Sequence, residues 1–189
     1  MPFSAVDTDT ALIVVDLQAG IVGLPLAHPV EGVIARSTEL IGAFRRHGLP
    51  VALVNVAGAP PGRTERGTNG GGRIRPEGWT DLIPELDQQP DDIAVTKYAR
   101  SAFSGTDLAA QLRARGVTQV VVVGIATGSG VESTARSAHE DGFHVSLPVD
   151  AMTDGSPDTH EHSVTKVFPK IAETGTTAEL LALLEGSRP

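Results

Sequence analysis

Apolar runs alternate with amphipathic stretches from one end of the chain to the other. Residues Ala11 to Leu17 read ALIVVDL, a short β-rich run. From Val30 to Phe44 the apolar residues Val33, Ile34, Leu40, Ile41 and Phe44 fall close to helical spacing, and Gly48 and Pro50 then stop that helix. Val51 to Val56 is a second predicted strand and Ile93 to Thr96 a third. Thr106 to Arg115 is predicted as a helix with Leu108, Ala109 and Leu112 on one face. Gln119 to Ile125 contains an unbroken run of valines, the pattern of a strand buried on both faces. A helix over Val131 to Glu140, a strand over His144 to Val149 and a helix over Pro157 to Phe168 follow. The chain ends on a short strand, Ile171 to Thr174, and a helix, Thr177 to Leu184. Strand–helix alternation of this kind makes parallel βαβ units. The expected class is therefore α/β: a Rossmann-like, three-layer α/β/α sandwich whose mainly parallel sheet has about six strands. No repeat or linker interrupts the pattern, so residues 1–189 read as one domain.

One stretch departs from this alternation. Ala57 to Gly78 is rich in glycine, proline and arginine and has no apolar period. It reads either as a surface loop or as a loop lying over an active site, a common place for long loops in compact domains.

Composition narrows the function classes. Aromatic residues are only 4% of the chain against 40% hydrophobic, so the core must be aliphatic. A formal charge of −8 excludes general nucleic-acid binding, which needs a basic stripe to displace counterions from phosphates. There is no cysteine, hence no disulfide, thiolate metal site or thiol catalysis. No apolar run approaches the roughly 20 residues that span a bilayer. The first residues, MPFSAVD, carry neither a basic nor an apolar leader region, so the expected location is the cytoplasm.

In open α/β sheets, ligands bind beyond the carboxyl ends of the strands. Asp16 lies near the end of the first predicted strand, in VVDLQ, and Lys97 ends the third, in VTKYARSAF. The fourth runs through IATGSG into a helix. Each feature alone has a plain explanation: a turn carboxylate, a solvated lysine, a helix start. Their coincidence at three strand ends points to one pocket holding a carboxylate, an ammonium and a helix N-terminus. A dinucleotide site is not expected, because DLQAGIVGLP follows the first strand where a glycine-rich phosphate cradle would stand. No cofactor is called for. Asp158, His160 and His162 have alternate spacing, which on a helix spreads them over different faces, and they read as a surface cluster.

These segments resemble the isochorismatase-like cysteine hydrolases. Members of that family carry an Asp after the first strand, a Lys after the third and a Cys within a motif reading roughly G-V-A-T-x-x-C-V-E-S-T-A-R. The chain has Gly124-Ile125-Ala126-Thr127-Gly128-Ser129-Gly130-Val131-Glu132-Ser133-Thr134-Ala135-Arg136. ALIVVDLQ, TKYARSAFSGTDL and the later VDAMTD fit as well, so the likeness spans nearly the whole chain. The resemblance implies that Asp16 and Lys97 are the active pair and that Gly130 stands where the nucleophilic Cys would be. It also implies a cis peptide at Ile125–Ala126, which would join the helix start at Ser129 in an oxyanion or carboxylate pocket. Nicotinamidases of this superfamily hold a metal through an Asp-x-His motif after the second strand. VAGAPPGRTE lacks that motif, so no catalytic metal is expected. Family members are commonly dimers or tetramers, which implies self-association here.

Three functions are compatible with this reading. The first is hydrolysis of an enol ether in a small molecule, as in isochorismatases with Gly at the nucleophile position. Asp16 would protonate the enol-ether carbon and water would capture the oxocarbenium ion, while Lys97 orients the substrate and Gly130 leaves room for it. Arg63 and Arg66 are the loop residues that would bind substrate carboxylates. Isochorismate itself is disfavoured, because Asn55-Val56-Ala57-Gly58 lacks the glutamine that true isochorismatases place there. The second is amide hydrolysis with Ser129 or Ser133 as a replacement nucleophile, against the plainer reading of both as helix-start residues. The third is a binding protein that lost its chemistry; keeping a costly carboxylate–ammonium pair speaks against it.

Overall fold

The computed structural model describes residues 3–65, 67–68 and 75–186. Its main sheet is built from β1 (Thr10–Val15), β2 (Val51–Val56), β5 (Ile93–Lys97), β6 (Gln119–Ile125), β7 (His144–Pro148), β8 (Met152–Thr153) and β9 (Glu173–Gly175). Two further two-residue strands, β3 (Arg63–Thr64) and β4 (Gly67–Thr68), pair antiparallel in the glycine-rich loop. The main sheet has seven strands in the order β5-β2-β1-β6-β7-β9, with β8 pairing to the end of β6, and every pairing in it is parallel. Short β8 is the addition to the expected six.

The two central strands show why this sequence makes this sheet. Every residue of β1 and of β6 is buried. Because successive side chains point to opposite faces, each strand must supply two cores. Ala11, Ile13 and Val15 enter one core with Leu108 and Leu112 of α3 (Leu108–Ala114) and Ala135 and Ala138 of α4 (Glu132–Glu140). Leu12 and Val14 enter the other with Leu40 and Phe44 of α2 (Val30–Arg46) and Leu180 and Leu184 of α6 (Thr177–Gly186). Helices thus cover both faces, giving the α/β/α sandwich. Among the described residues, no helix is long and apolar enough to cross a membrane.

The observed elements follow the apolar pattern, with local differences. β2 and β6 have the expected bounds. α3 starts two residues after Thr106, because the Thr106 hydroxyl accepts from the Leu108 amide and donates to the Ala102 carbonyl. The helix expected over Pro157–Phe168 is α5 (Pro157–His162), followed by a π-type turn over Ser163–Val167 and a 3₁₀ turn over Phe168–Lys170. Pro169 has no amide hydrogen to continue an α-helix. The last strand begins at Glu173, because the amides of Ile171 and Ala172 bond back to the Phe168 carbonyl. A four-residue helix, α1 (Ala19–Val22), follows β1.

This order sets the site. From β1 the chain builds outward to β2 and β5, then crosses back to β6 on the other side of β1. The reversal falls between β1 and β6, the switch point where open α/β sheets open a crevice. Register aligns Val15 with both Val54 and Gly124, and Val56 with Lys97. Asp16, Lys97 and the turn after Ile125 therefore leave the sheet at one edge.

Gly124 makes that close approach possible. Its φ is 115°, and a Cβ there would collide with the Val15 backbone. Gly124→Ala is expected to destabilise the protein by about 3 kcal/mol through clash and backbone strain, measured by urea unfolding. A loss under about 0.5 kcal/mol would mean that the strand end relaxes freely.

Candidate active site

A cavity of about 330 Å³ lies over the carboxyl ends of β1, β5 and β6. Asp16, Lys97, Ile125, Ala126, Ser129 and Gly130 line it, so six of the residues singled out in the sequence meet in one wall. Two others do not. Arg63 is exposed on β3 and is not part of the wall, and Arg66 lies outside the described residues. The loop does reach the cavity, through Gly58, Ala59 and Pro60. Ser133 is absent from the wall.

Asp16 is the first residue past β1. Its amide donates to the Val54 carbonyl at 2.8 Å, and its φ is 55°, a left-handed conformation that Asp tolerates better than most residues. The chain turns sharply there. Gln18, fully buried, holds the far side of the turn: its side-chain oxygen accepts from the Val56 amide, and its NH₂ donates to the Val56 and Trp79 carbonyls. Gln18 thus pins both ends of the glycine-rich loop beside the site.

The Lys97 ammonium, 1% exposed, lies 2.8 Å from Asp16 Oδ2 and donates to the Arg100 carbonyl at 2.8 Å. The other carboxyl oxygen, Asp16 Oδ1, is buried and has no hydrogen-bond partner among the described residues. Two influences compete for the proton on Asp16. Burial disfavours the carboxylate and is the larger; the charge of Lys97 and its hydrogen bond oppose it. The result is a pKa pushed up to about 6.

The third part of the wall is the turn after β6. The Ile125–Ala126 peptide is cis, as the resemblance implied. A π-type turn over Thr127–Val131 then leads into α4. Its amides are largely committed: Ser129 and Val131 bond to the Ala126 carbonyl, and Gly128 donates to Asp154 Oδ2 at 2.8 Å. Gly130 is buried against the end of β1. A Cβ there would lie 2.9 Å from Val15 Cγ1, 3.2 Å from Asp16 Oδ2 and 3.3 Å from the Ile125 carbonyl oxygen. The glycine therefore lets the turn sit directly on Asp16.

His160 corrects the expected surface cluster. Asp158 and His162 are exposed, but His160 is half-buried: its Nδ1 lies 2.8 Å from Thr127 Oγ1, and its ring packs edge-on against His28. Burial first, and His28 second, hold its pKa below the ordinary value. Alternate spacing on α5 sent one of the three inward, to brace the turn that carries Gly130. Among the described residues no three or more His, Asp or Glu side chains form a group suited to a metal ion.

Sequence reasoning missed Arg100, Gln18 and the apolar lining from Ile21, Leu24 and Leu26. Arg100 was legible as a candidate, since it stands three residues after Lys97 in the quoted KYAR segment.

The opposition between burial and Lys97 can be isolated. In Lys97→Met the lowering influences on Asp16 disappear while burial stays, so its pKa rises above about 6. Titration of the Asp16 carboxyl carbon by NMR is expected to show that rise; a fall or no change would contradict the ion-pair account.

Comparisons with known proteins agree with this architecture. Residues 10–179 match the model of the isochorismatase domain. YwoC of Bacillus subtilis (strain 168), an uncharacterized isochorismatase family protein, is 39% identical over 177 residues, covering 91% of this chain and 92% of its own. An isochorismatase family protein of Burkholderia thailandensis has a solved structure that superposes with a TM-score of 0.84 at 38% identity, covering 96% of this chain and 98% of its own. The ureidoacrylate amidohydrolase RutB of Stutzerimonas stutzeri (strain A1501) is 35% identical over 173 residues, covering 76% of this chain and 68% of its own. The chain belongs to the isochorismatase family of hydrolases.

Proposed function

We propose that this hydrolase cleaves an enol ether in a small molecule, with Asp16 as general acid and no cysteine nucleophile, Gly130 occupying the position where relatives carry one. The observation that carries this reading is the state of Asp16. It is a buried carboxyl in a cavity wall, with a pKa of about 6 and its Oδ2 turned toward Gly130. A group of this kind can be protonated near neutral pH and deliver its proton to a substrate.

Oδ2 is the oxygen turned toward Gly130, 3.2 Å from where a Cβ there would lie, and in this reading it carries the transferable proton while it accepts from Lys97. Protonation of the terminal enol carbon makes an oxocarbenium ion at the carbon bearing the ether oxygen. Water adds to that carbon and its released proton returns to Asp16. The resulting hemiketal collapses to a ketone and an alcohol, with net consumption of one water. Lys97 stabilises the carboxylate left after proton transfer. Gly130, with no side chain, keeps the space over Asp16 open for the reacting group.

A serine mechanism has less support. Ser129 Oγ accepts from Arg100 Nη1 at 3.3 Å, a cation rather than a base, and Ser133 is off the wall. A serine nucleophile needs a base at hydrogen-bond distance.

Turnover is measured on chorismate, isochorismate and simple amides, with Asp16→Asn beside the wild type. Pyruvate release from an enol ether, falling about 100-fold or more in the variant, is expected. The sign of the pH dependence separates acid from base. If protonated Asp16 is the active form, kcat/KM is level below about 6 and falls about tenfold per pH unit above it. Amide cleavage that instead rises through pH 6 would make Asp16 a base and overturn the proposal.

A further inference from the structure

We infer that Arg100 is the anion-binding residue of this cavity, and that the substrate class is a small carboxylate with an apolar body. The inference concerns the same cavity as the proposed acid chemistry, but stands on the charge inventory of its wall.

Two cations and one acidic side chain line the cavity. Lys97 is engaged by Asp16 Oδ2 at 2.8 Å and by the Arg100 carbonyl at 2.8 Å. The Arg100 guanidinium is left over: among the described residues it pairs with no carboxylate, and its Nη1 reaches only the neutral hydroxyl of Ser129, at 3.3 Å. An unpaired cation at a cavity is notable in a chain whose formal charge is −8. Arg36, Arg45, Arg46, Arg113 and Arg136 each have an acidic partner, and Arg115, which bonds to the Gln111 carbonyl, lies away from this cavity.

The position of Arg100 is fixed by the site itself. Its carbonyl accepts from the buried Lys97 ammonium, so the residue is tied by its backbone to the ion pair that holds Asp16. Its side chain crosses to the turn that carries Gly130. Ser129 then adds a second donor. With its oxygen accepting from Arg100, the Ser129 O–H is free to donate, and the two donors meet where one carboxylate can accept from both. This gives Ser129 a binding role rather than a nucleophilic one. Elsewhere the wall is apolar, with Ile21, Leu24, Leu26, Val56 and Ile125. Such a lining suits a hydrocarbon body.

The test compares two probes of nearly equal shape, benzoate and benzamide, by isothermal titration calorimetry on the intact chain. Wild type is expected to bind benzoate more tightly than benzamide. Arg100→Gln is expected to lower benzoate affinity about tenfold or more and leave benzamide unchanged. Arg100→Lys, keeping the charge and losing the fork, should fall between. Because Arg100 is exposed at the rim, the benzoate preference should also shrink as salt rises. Benzoate binding no tighter than benzamide, or unchanged in Arg100→Gln with melting temperature preserved, would overturn the inference. Asp16→Asn separates the two proposals: it abolishes enol-ether turnover if the acid reading is right, whereas the Arg100-dependent preference for benzoate survives in it. A benzoate preference in a protein that cleaves no enol ether would thus sink the chemistry and leave Arg100 in place.

Discussion

The buried contact between Asp16 and Lys97 is the constraint on which the rest of the site depends. The two residues come from strands that are not neighbours, since β2 lies between β1 and β5. Lysine is long enough to reach over the end of the intervening strand. Taking both charges out of water is costly, and their attraction repays that cost only when each is also held by other groups. Here the Asp16 amide is anchored to Val54 and the Lys97 ammonium to the Arg100 carbonyl. Even so, the balance on Asp16 goes to burial, and its pKa moves up to about 6 although an ammonium touches it. A carboxyl poised in this way is an unusual product of a salt bridge, and it arises because burial outweighs both the charge and the hydrogen bond of Lys97.

The turn after β6 depends on the same pair from the other side. Gly130 lies against Val15 and Asp16, so closely that a Cβ there would come within 2.9 Å of Val15 Cγ1 and 3.2 Å of Asp16 Oδ2. The turn that presents it is held from behind rather than by its own helix. Asp154 takes the Gly128 amide, His160 meets the Thr127 hydroxyl, and Ser163 donates to Glu132 at the start of α4. His160 is disposed to stay neutral, by burial and by His28, which suits a hydrogen-bonding brace better than a titrating one. These braces come from the residue after β8, from α5 and from the turn beyond it, all later in the chain than the residues they support. The late segments of the sequence therefore brace a turn that packs against Val15 and Asp16, from the early part of the chain.

Much of this was legible in the amino-acid pattern. The valine run of β6 and the ALIVV run of β1 announced strands buried on both faces, which is possible only with helices on both sides. Asp16 and Lys97 could be read as partners because parallel strands deliver their carboxyl ends to one edge. What escaped notice was set by side-chain direction or by very short pairings. β8 has two residues and α1 four, too few to show a period. Arg63 drew attention through the composition of its loop, yet the loop contributes small residues to the cavity while Arg63 pairs outward in β3. Arg100 stood beside Lys97 in the sequence, but the bend that brings its guanidinium to Ser129 is a tertiary result. The burial of His160 depended on His28, which is 132 positions away (160 − 28) and so invisible to a local spacing rule.

The wall thus divides its labour by charge. One carboxyl oxygen is spent on holding Lys97, and the other faces no donor. The guanidinium of the remaining cation, Arg100, stands at the rim and, among the described residues, hydrogen-bonds only to the Ser129 hydroxyl, while the lining between is aliphatic. In the proposed reaction this separation matters, because an anion docked directly on Lys97 would compete with Asp16 for the ammonium and push the Asp16 pKa higher still. Binding the anion at Arg100 leaves the Asp16–Lys97 balance as the fold set it. The acid then keeps a pKa close enough to neutrality both to give up its proton and to recover it from water in each cycle.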